Sequence, residues 1–262
     1  MQHITSKDNN LIKETKKLKE KKYRNEKGLF VIEGFRFLEE ALKSSFTIDT
    51  IFINENSLEK FNEYYSNISI KDDVRLILVG DSIFKSISCT DTPQGVLALV
   101  KMSKEEDYVD KGTYILIDKV QDPGNLGTIV RTAHAAGCSG VILTKGTVDL
   151  YNEKTLRSTM GSIFNISIIE DYDLSFTRNL KSQGYKLVCS SLDTEYNFYD
   201  INFSEKLIIT VGNEGNGISE EIFNISDIKV KIPMPGGAES LNAAVAASIM
   251  IYEGVRQSLS NK

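Results

Sequence analysis

The sequence predicts an α/β protein of two domains, and three observations support this prediction. Apolar runs of strand length alternate with segments of helical periodicity, and they do so in two separate series. A polar, charged stretch without apolar periodicity, residues 102–112, separates the two series and is interpreted as a linker. The chain has 262 residues, of which 41% are hydrophobic and 26% charged, so it is long enough to bury two cores. We therefore expect one domain over residues 28–101 and a second over residues 113–262.

The chain starts with a basic segment, predicted as a helix within residues 1–27. The whole chain has a net charge of -5, but residues 7–27 hold nine Lys or Arg and four Asp or Glu, which gives this segment +5 and leaves -10 elsewhere. Leu11 and Leu18 lie one heptad apart, which predicts a narrow apolar stripe and a lysine-covered outer face. That face is either an ordinary solvated surface or a contact for RNA phosphates. The acidic remainder argues against a protein that coats nucleic acid by charge alone.

The first domain is predicted to contain four strands and two helices. The strand segments are short apolar runs, and the helical segments repeat apolar residues at helical spacing. The predicted strands are GLFVIEG, IDTIFI, VRLILVG and PQGVLALV, and the predicted helices are FRFLEEALKS and SLEKFNEYY.

The second domain is predicted to contain a parallel sheet, because its strands are separated by helices and such connections form right-handed crossovers. The predicted strands are TYILIDKV, GVILTK, KLVCSS, LIITVG and IKVKIP. The predicted helices cover residues 125–137, the segment NEKTLRSTMG and a long C-terminal stretch from about Ser240.

Several classes of site are disfavoured by composition. Cys89, Cys138 and Cys189 are widely spaced and are expected to be reduced, buried thiols. His3 and His134 are the only histidines, too few for a zinc site, and no metal is predicted. The start of the chain lacks a basic stretch followed by an apolar run, and no segment reaches the roughly 18 apolar residues of a membrane span. We therefore expect a cytoplasmic protein without a membrane partner.

The first cluster of candidate site residues is DPGNLGTIVRTAHAAG, residues 122–137. Asn125 follows a Pro-Gly turn and is expected to cap a helix. Gly127 would weaken that helix by about 1 kcal/mol relative to Ala, which predicts a close neighbour for its backbone. Arg131 lies further round the same helix. Alone, this cluster favours a capped helix that carries a surface arginine, and His134 is interpreted as an ordinary histidine.

The second cluster is VGNEGNGISEE, residues 211–221. Its glycines follow a late strand with GxxGxG spacing, whereas a dinucleotide fold requires GxGxxG after its first strand. Neither a Rossmann fingerprint nor a P-loop is therefore present. The glycine backbone is predicted to hold an adenosine or amino-acid moiety, with Glu214 as an acceptor.

The third cluster is VKIPMPGGAESLNAAVAASIMIYEG, which begins at Val230. Two prolines and two glycines predict an ordered loop, and Ser240 and Asn242 are polar residues at the expected start of the last helix. That helix is rich in Ala, so another backbone can approach it closely.

Together, in this order and at these separations, the three clusters resemble the SpoU (TrmH) family of SPOUT RNA methyltransferases. The matching residues are Asn125, Gly127 and Arg131 in the first motif, Gly212, Glu214 and Gly217 in the second, and Pro233, Met234, Ser240, Leu241 and Asn242 in the third. RSTMGSIFNISI resembles the family's middle segment. FVIEGFRFLEEAL and TPQGVLALV look like its N-terminal RNA-binding domain, which is similar to ribosomal protein L30e. One departure is Ala243-Ala244, where relatives commonly carry Val-Ser.

The resemblance implies an L30e-like domain followed by a SPOUT α/β domain that threads a trefoil knot, an exception to the usual absence of knots. It implies S-adenosylmethionine as the cofactor, and a homodimer formed through the C-terminal domain. The implied cofactor contacts are Gly212, Gly217, Ile232, Met234 and Leu241.

The reaction that the resemblance implies is methyl transfer to a ribose 2'-hydroxyl of structured RNA, with 23S ribosomal RNA as the expected substrate. The implied catalytic residues are Asn125, Arg131, Glu214, Ser240 and Asn242. Arg131 is the family's proposed base, yet a guanidinium with a pKa of about 12.5 or more is a poor base. It either accepts the proton or positions the hydroxyl and its phosphate.

Three alternatives differ from this expectation. Transfer RNA is a second substrate class. A non-catalytic RNA-binding protein would not need all three motifs. A nucleotide-dependent oxidoreductase would need an early GxGxxG, which the sequence lacks.

Overall fold

The computed structural model describes residues 1–102, 111–191, 194–203 and 206–260. These residues form two compact units. The first unit comprises residues 1–102 together with Tyr151–Arg157, and the second comprises residues 111–150 and the described residues from 158 onward. Most of the predicted linker, residues 103–110, lies outside the described residues.

The first unit is a five-stranded mixed sheet with helices. Its strands are β1 (Gln2–Ile4), β2 (Leu29–Glu33), β3 (Ile48–Asn54), β4 (Arg75–Val79) and β5 (Val96–Lys101). Its helices are α1 (Asn10–Lys17), α2 (Lys21–Lys27), α3 (Phe35–Lys43), α4 (Leu58–Tyr64) and α5 (Asp81–Ile87). The strand order is β1-β4-β3-β5-β2, with β5 antiparallel to both of its neighbours and the other pairs parallel. The four predicted strands and two predicted helices are therefore confirmed.

The basic N-terminal segment differs from the single predicted helix. It consists of β1, which pairs with β4, and of two helices, α1 and α2. The turn between the helices is fixed by Arg24, which is only 5% exposed and donates through Nη1 to the carbonyls of Leu18 and Lys19 at 2.8 Å each. Ile12 and Leu18 are buried, while Leu11 is only partly so. The segment is thus an integral part of the first unit, and Arg24 is not on its outer face.

The second unit is built on a six-stranded sheet in which every pair is parallel, as predicted. Its strands are β6 (Gly112–Ile117), β7 (Gly140–Leu143), β8 (Ser167–Glu170), β9 (Lys186–Ser190), β10 (Lys206–Val211) and β11 (Ile228–Val230), in the order β11-β9-β10-β6-β7-β8. Its helices are α6 (Pro123–Ala135), α8 (Ser175–Ser182), α9 (Glu220–Ile225) and α10 (Ala243–Ser260). Helix α7 (Glu153–Thr159) is shared, because its residues up to Arg157 group with the first unit.

The sheet of the second unit places the three sequence clusters at one edge. Strands β6 and β10 are adjacent and buried, and β11 lies two strands from β10. The first cluster follows β6, the second follows β10 and the third follows β11. Because the strands are parallel, their carboxyl ends share one edge of the sheet, where open α/β sheets bind ligands. Helix α10 then returns to pack against α6 and β10.

The cysteines are free thiols, but only Cys189 is buried, and Cys89 and Cys138 are half-buried. The expectation of three buried thiols is therefore wrong for two of them. Desolvation raises the pKa of Cys89 and of Cys138 to about 12 and that of Cys189 to about 11, so all three are protonated at neutral pH.

The described residues contain neither a membrane-spanning helix nor a metal-binding cluster. None of the described helices is long and apolar enough to cross a membrane. The described side chains also contain no cluster of three or more His, Cys, Asp or Glu that is arranged to hold a metal ion.

Candidate functional site

The helix of the first cluster, α6, is capped by Asp122 and not by Asn125. The Asp122 carboxylate accepts a hydrogen bond from the Asn125 backbone N–H at 2.8 Å, and Pro123 is the first residue of the helix. Proline suits that position because its fixed φ is helical and its missing N–H would have had no partner there. The expected cap at Asn125 is therefore wrong, since the helix starts two residues earlier.

The side chain of Asn125 instead connects the three clusters. Its Nδ2 donates to Glu214 Oε1 at 2.8 Å, and its Oδ1 accepts from Asn242 Nδ2 at 2.9 Å. Donation on one side and acceptance on the other fix the orientation of the amide. Asn125, from the first cluster, thus bonds directly to one residue of the second cluster and one of the third.

Glu214 accepts hydrogen bonds from three donors of its own chain. Besides Asn125, the backbone N–H groups of Gln121 and Asp122 donate to its carboxylate at 3.1 and 3.3 Å. Partial burial raises the pKa of Glu214, but the bonds from Asn125 and from the backbone outweigh it and hold the pKa below the usual 4.5. The carboxylate is therefore ionised at neutral pH and ties the glycine loop to the start of α6.

The glycine loop closes on its own backbone. Asn213 and Gly217 exchange two N–H to carbonyl bonds, each 2.9 Å long, and Gly217 has φ +69°. A Cβ on Gly212 would lie 2.3 Å from the Gly217 carbonyl carbon and 2.4 Å from Ile218 N. No real side chain has such contacts, so Gly212 is required by the loop itself, whatever ligand lies beside it.

Asn242 caps the last helix. Its Oδ1 accepts from the backbone N–H groups of Ala244 and Val245 at 2.9 and 3.2 Å, and α10 begins at Ala243. The predicted polar cap is confirmed at Asn242, and the helix begins at Ala243, three residues downstream of the approximate start at Ser240. Ser240 is exposed, and its hydroxyl has no hydrogen-bond partner among the described residues.

Arg131 is an exposed side chain on α6, six residues after Asn125 and so about 9 Å further along the helix axis. Within the described part of the chain it forms no hydrogen bond or ion pair, which leaves its five N–H donors available to a ligand. Gly127, on the same helix, is buried. The imidazole Nδ1 of His134 lies 3.1 Å from Ser162 Oγ.

Apolar side chains lie in the third cluster, between β11 and α10. Ile232 and Met234 are half-buried, and Leu241 has 37% of its surface exposed. Gly236 and Gly237 lie between Met234 and Leu241 in sequence, and no atom of the described residues lies within 4 Å of where a Cβ would be on either glycine. This segment offers apolar surface and open space, while the first cluster offers Arg131, a cation without a partner among the described residues.

Two residues that hold the site together were not identified from the sequence. Asp118, only 1% exposed, directly follows β6 and accepts from Ser219 N at 2.6 Å and from Thr144 Oγ1 at 3.0 Å. Asn213 accepts from two backbone N–H groups of the glycine loop at 2.9 Å each and donates to the Lys119 carbonyl at 2.9 Å. A carboxylate right after a buried strand and an Asn within a glycine turn were the available signals.

Comparison with known proteins gives matches over both units. The model of the SpoU rRNA Methylase family matches residues 112–252, and that of the MRM3-like substrate binding domain matches residues 9–98. The chain is 37% identical to the 23S rRNA (guanosine(2553)-2'-O)-methyltransferase RlmP of Bacillus subtilis, with 96% of this chain and 98% of that one covered.

Solved structures agree with this comparison. The AdoMet-bound rRNA methyltransferase from Sinorhizobium meliloti superposes with a TM-score of 0.86 at 32% identity, covering 97% of each chain. The SpoU methyltransferase AviRb from Streptomyces viridochromogenes, in complex with AdoMet, gives 0.85 at 26% identity, covering 96% of this chain and 99% of that one.

Proposed function

Because this chain belongs to the SpoU rRNA Methylase family and is an RNA 2'-O-methyltransferase that uses S-adenosylmethionine, we propose that its substrate is a ribose 2'-hydroxyl of 23S ribosomal RNA. The observation that supports this most strongly is the joining of the three clusters by Asn125, with Glu214 at 2.8 Å and Asn242 at 2.9 Å. A protein that only binds RNA has no need for this network at the carboxyl ends of the strands.

The residues of the third cluster fit the cofactor. The exposed part of Leu241 and the half-buried Ile232 and Met234 offer apolar contacts suited to an adenine ring, and the glycines between them leave room for it. We assign these three residues to the cofactor site, with the backbone of Gly212 and Gly217 as further contacts. When bound, S-adenosylmethionine supplies an activated methyl group.

Arg131 is proposed to act on the RNA. Its guanidinium is unpaired among the described residues and presents a planar fork that suits a phosphate or a ribose hydroxyl. Alignment of the hydroxyl for in-line attack accounts for much of the catalysis such an enzyme needs. Asn125, Glu214 and Asn242 act as positioning residues, and the free hydroxyl of Ser240 is assigned to the same cleft.

The first unit is proposed to bind the RNA and to be L30e-like. Lys21 and Lys22 are exposed at the first turn of α2, and no described residue forms an ion pair with either. A positive charge there is unfavourable to the helix dipole, so helix stability does not explain these two lysines. Contacts with RNA phosphates would explain both lysines. The match to a substrate binding domain over residues 9–98 favours this role. A cytoplasmic location is part of the same proposal.

The C-terminal domain is proposed to dimerise through α10 and to thread a trefoil knot. Val245, Tyr252 and Leu259 recur every seven residues on one face of α10 and are 47%, 49% and 65% exposed. An apolar helix face of this kind fits a second copy of the same chain. The return of α10 onto α6 and β10 is consistent with the knot. Light scattering should give a dimer for the wild type and a monomer for Tyr252→Glu, and a wild-type monomer would contradict the proposal.

Mapping of ribose methylation tests the substrate. In RNA from cells with and without the gene, one 23S rRNA position should lose its resistance to alkaline hydrolysis when the gene is absent. A loss confined to transfer RNA would favour the alternative substrate, and unchanged methylation throughout would contradict the proposed function.

A further inference from the structure

Met160 adopts a backbone conformation that its side chain disfavours. It follows the last residue of α7 with φ +51°, and Gly161 after it has φ +89°. Helices often end on a left-handed residue, but that position normally takes Gly or Asn, because a Cβ clashes there. Met160 also leaves 54% of its surface exposed. Neither the backbone nor the packing of the core therefore accounts for a methionine at this position.

Met160 lies two residues before Ser162, which contacts helix α6. Ser162 is only 6% exposed. Its Oγ lies 3.1 Å from Nδ1 of His134. Two residues of chain span at most about 7 Å, so the Cα of Met160 lies within that distance of the Cα of Ser162. His134 and Arg131 are three residues apart on α6 and so are neighbours on one helix face, with about 5–6 Å between their Cβ atoms. All three side chains are exposed, so they are candidates for one common binding surface.

The charge of this surface suits a polyanion. Arg131 contributes a cation and His134 contributes a ring nitrogen, and neither α6 nor residues 158–169 contain an Asp or Glu. An exposed apolar side chain beside such groups resembles the surfaces that bind unpaired RNA, where bases lie on side chains and the backbone meets donors.

We propose that Met160 and His134 extend the substrate site beyond Arg131. Met160 packs against an unpaired base of the substrate RNA, and His134 contacts the adjoining sugar-phosphate backbone. Strained residues with exposed side chains occur at functional sites, where binding makes use of the side chain that folding disfavours. This assignment rests on the proposed function, because it takes the RNA to be the ligand at Arg131.

The test uses binding to an in vitro transcript of 23S rRNA, measured by filter binding in the presence of S-adenosylhomocysteine. Met160→Gly should weaken RNA binding by about tenfold, in the range of one lost base contact. The same change should leave Tm unchanged or raise it, because glycine adopts a positive φ without steric strain. Met160→Leu is the matched control: it keeps both the strain and the apolar surface, so it should bind RNA nearly as well as the wild type.

His134→Ala should weaken RNA binding less than Met160→Gly does, with unchanged affinity for S-adenosylhomocysteine. Wild-type RNA affinity in both Met160→Gly and His134→Ala would overturn the inference. So would a parallel loss of RNA and S-adenosylhomocysteine affinity, because it would indicate a purely structural role. A wild-type enzyme that binds the transcript but methylates no RNA would instead refute the proposed function.

Discussion

Replacement of Gly212 by alanine should open the glycine loop. The added Cβ would lie 2.3 Å from the carbonyl carbon of Gly217 and 2.4 Å from its oxygen. These atoms belong to the backbone, so no side-chain rotation relieves the overlap. The backbone around residue 212 must therefore move away from that around Gly217. Separation breaks the two 2.9 Å bonds between Asn213 and Gly217 and displaces Glu214 from its partners.

The magnitude follows from those bonds. Two backbone hydrogen bonds contribute about 1 kcal/mol each, so closing the loop costs about 2 kcal/mol more in the variant. If the cofactor requires the closed loop, the affinity for S-adenosylhomocysteine should fall about 30-fold. The core strands remain intact, because the overlap is confined to the turn after β10.

Titration calorimetry with S-adenosylhomocysteine measures this loss, and Gly215→Ala is the matched control in the same loop. A Cβ on Gly215 meets only Asn213 Oδ1 at 3.6 Å, which is ordinary contact, so this variant should bind normally. Equal affinities in Gly212→Ala and the wild type would refute the reasoning. An equal loss in both variants would also refute it, because the steric argument separates the two positions.

Three further predictions follow from single side chains. Arg131→Ala should lower the single-turnover methylation rate by about 100-fold or more with unchanged affinity for S-adenosylhomocysteine, and rescue by Arg131→Lys would favour simple charge over bidentate positioning. A near wild-type rate in Arg131→Ala would make Arg131 an ordinary surface residue. Neutralising Lys21 and Lys22 to Gln should reduce the slope of log K against log salt by up to about two, and an unchanged slope would show that they touch no phosphate. The pKa of Glu214 is lowered in the folded protein, so its ionised carboxylate stabilises the fold above pH 4.5, and this contribution is lost as the pH falls below 4.5. The free energy of unfolding of Glu214→Gln, measured with denaturant, should therefore depend less on pH below 4.5 than that of the wild type.

Deletion of residues 1–27 is not a clean test of RNA binding. Ile12 and Leu18 belong to the core of the first unit, and β1 pairs with β4. Removing the segment would expose that core, whereas changing exposed lysines leaves it intact.

The strands were predictable where burial is continuous. β6 is buried from Tyr114 to Ile117 and β10 from Leu207 to Val211, and such apolar runs stand out from the polar segments beside them. Strand β8 was not predicted, and only Ile169 of its four residues is fully buried, so it lacks a continuous buried run. Helix α5 was not predicted either. The start of α6 was available from the sequence, since Asp122-Pro123 is a cap followed by a first-turn proline.

The site residues were predictable as types but not as partners. The motifs identified Asn125, Glu214 and Asn242, yet Asn125 is 89 residues from Glu214 and 117 from Asn242 in sequence. Local patterns carry no information on which of these side chains meet. The role of Gly212 likewise depends on where Gly217 returns, which only the closed loop shows.

Single-turnover methylation of a 23S rRNA transcript with radiolabelled S-adenosylmethionine, followed by alkaline hydrolysis, tests the central claim most directly. A methyl group on a ribose 2'-oxygen blocks cleavage at that nucleotide, because the attacking hydroxyl is lost. The proposed function predicts label in one alkali-resistant dinucleotide from the wild type and about 100-fold slower labelling by Arg131→Ala. Label recovered on a base, or an alkali-labile product, would contradict it.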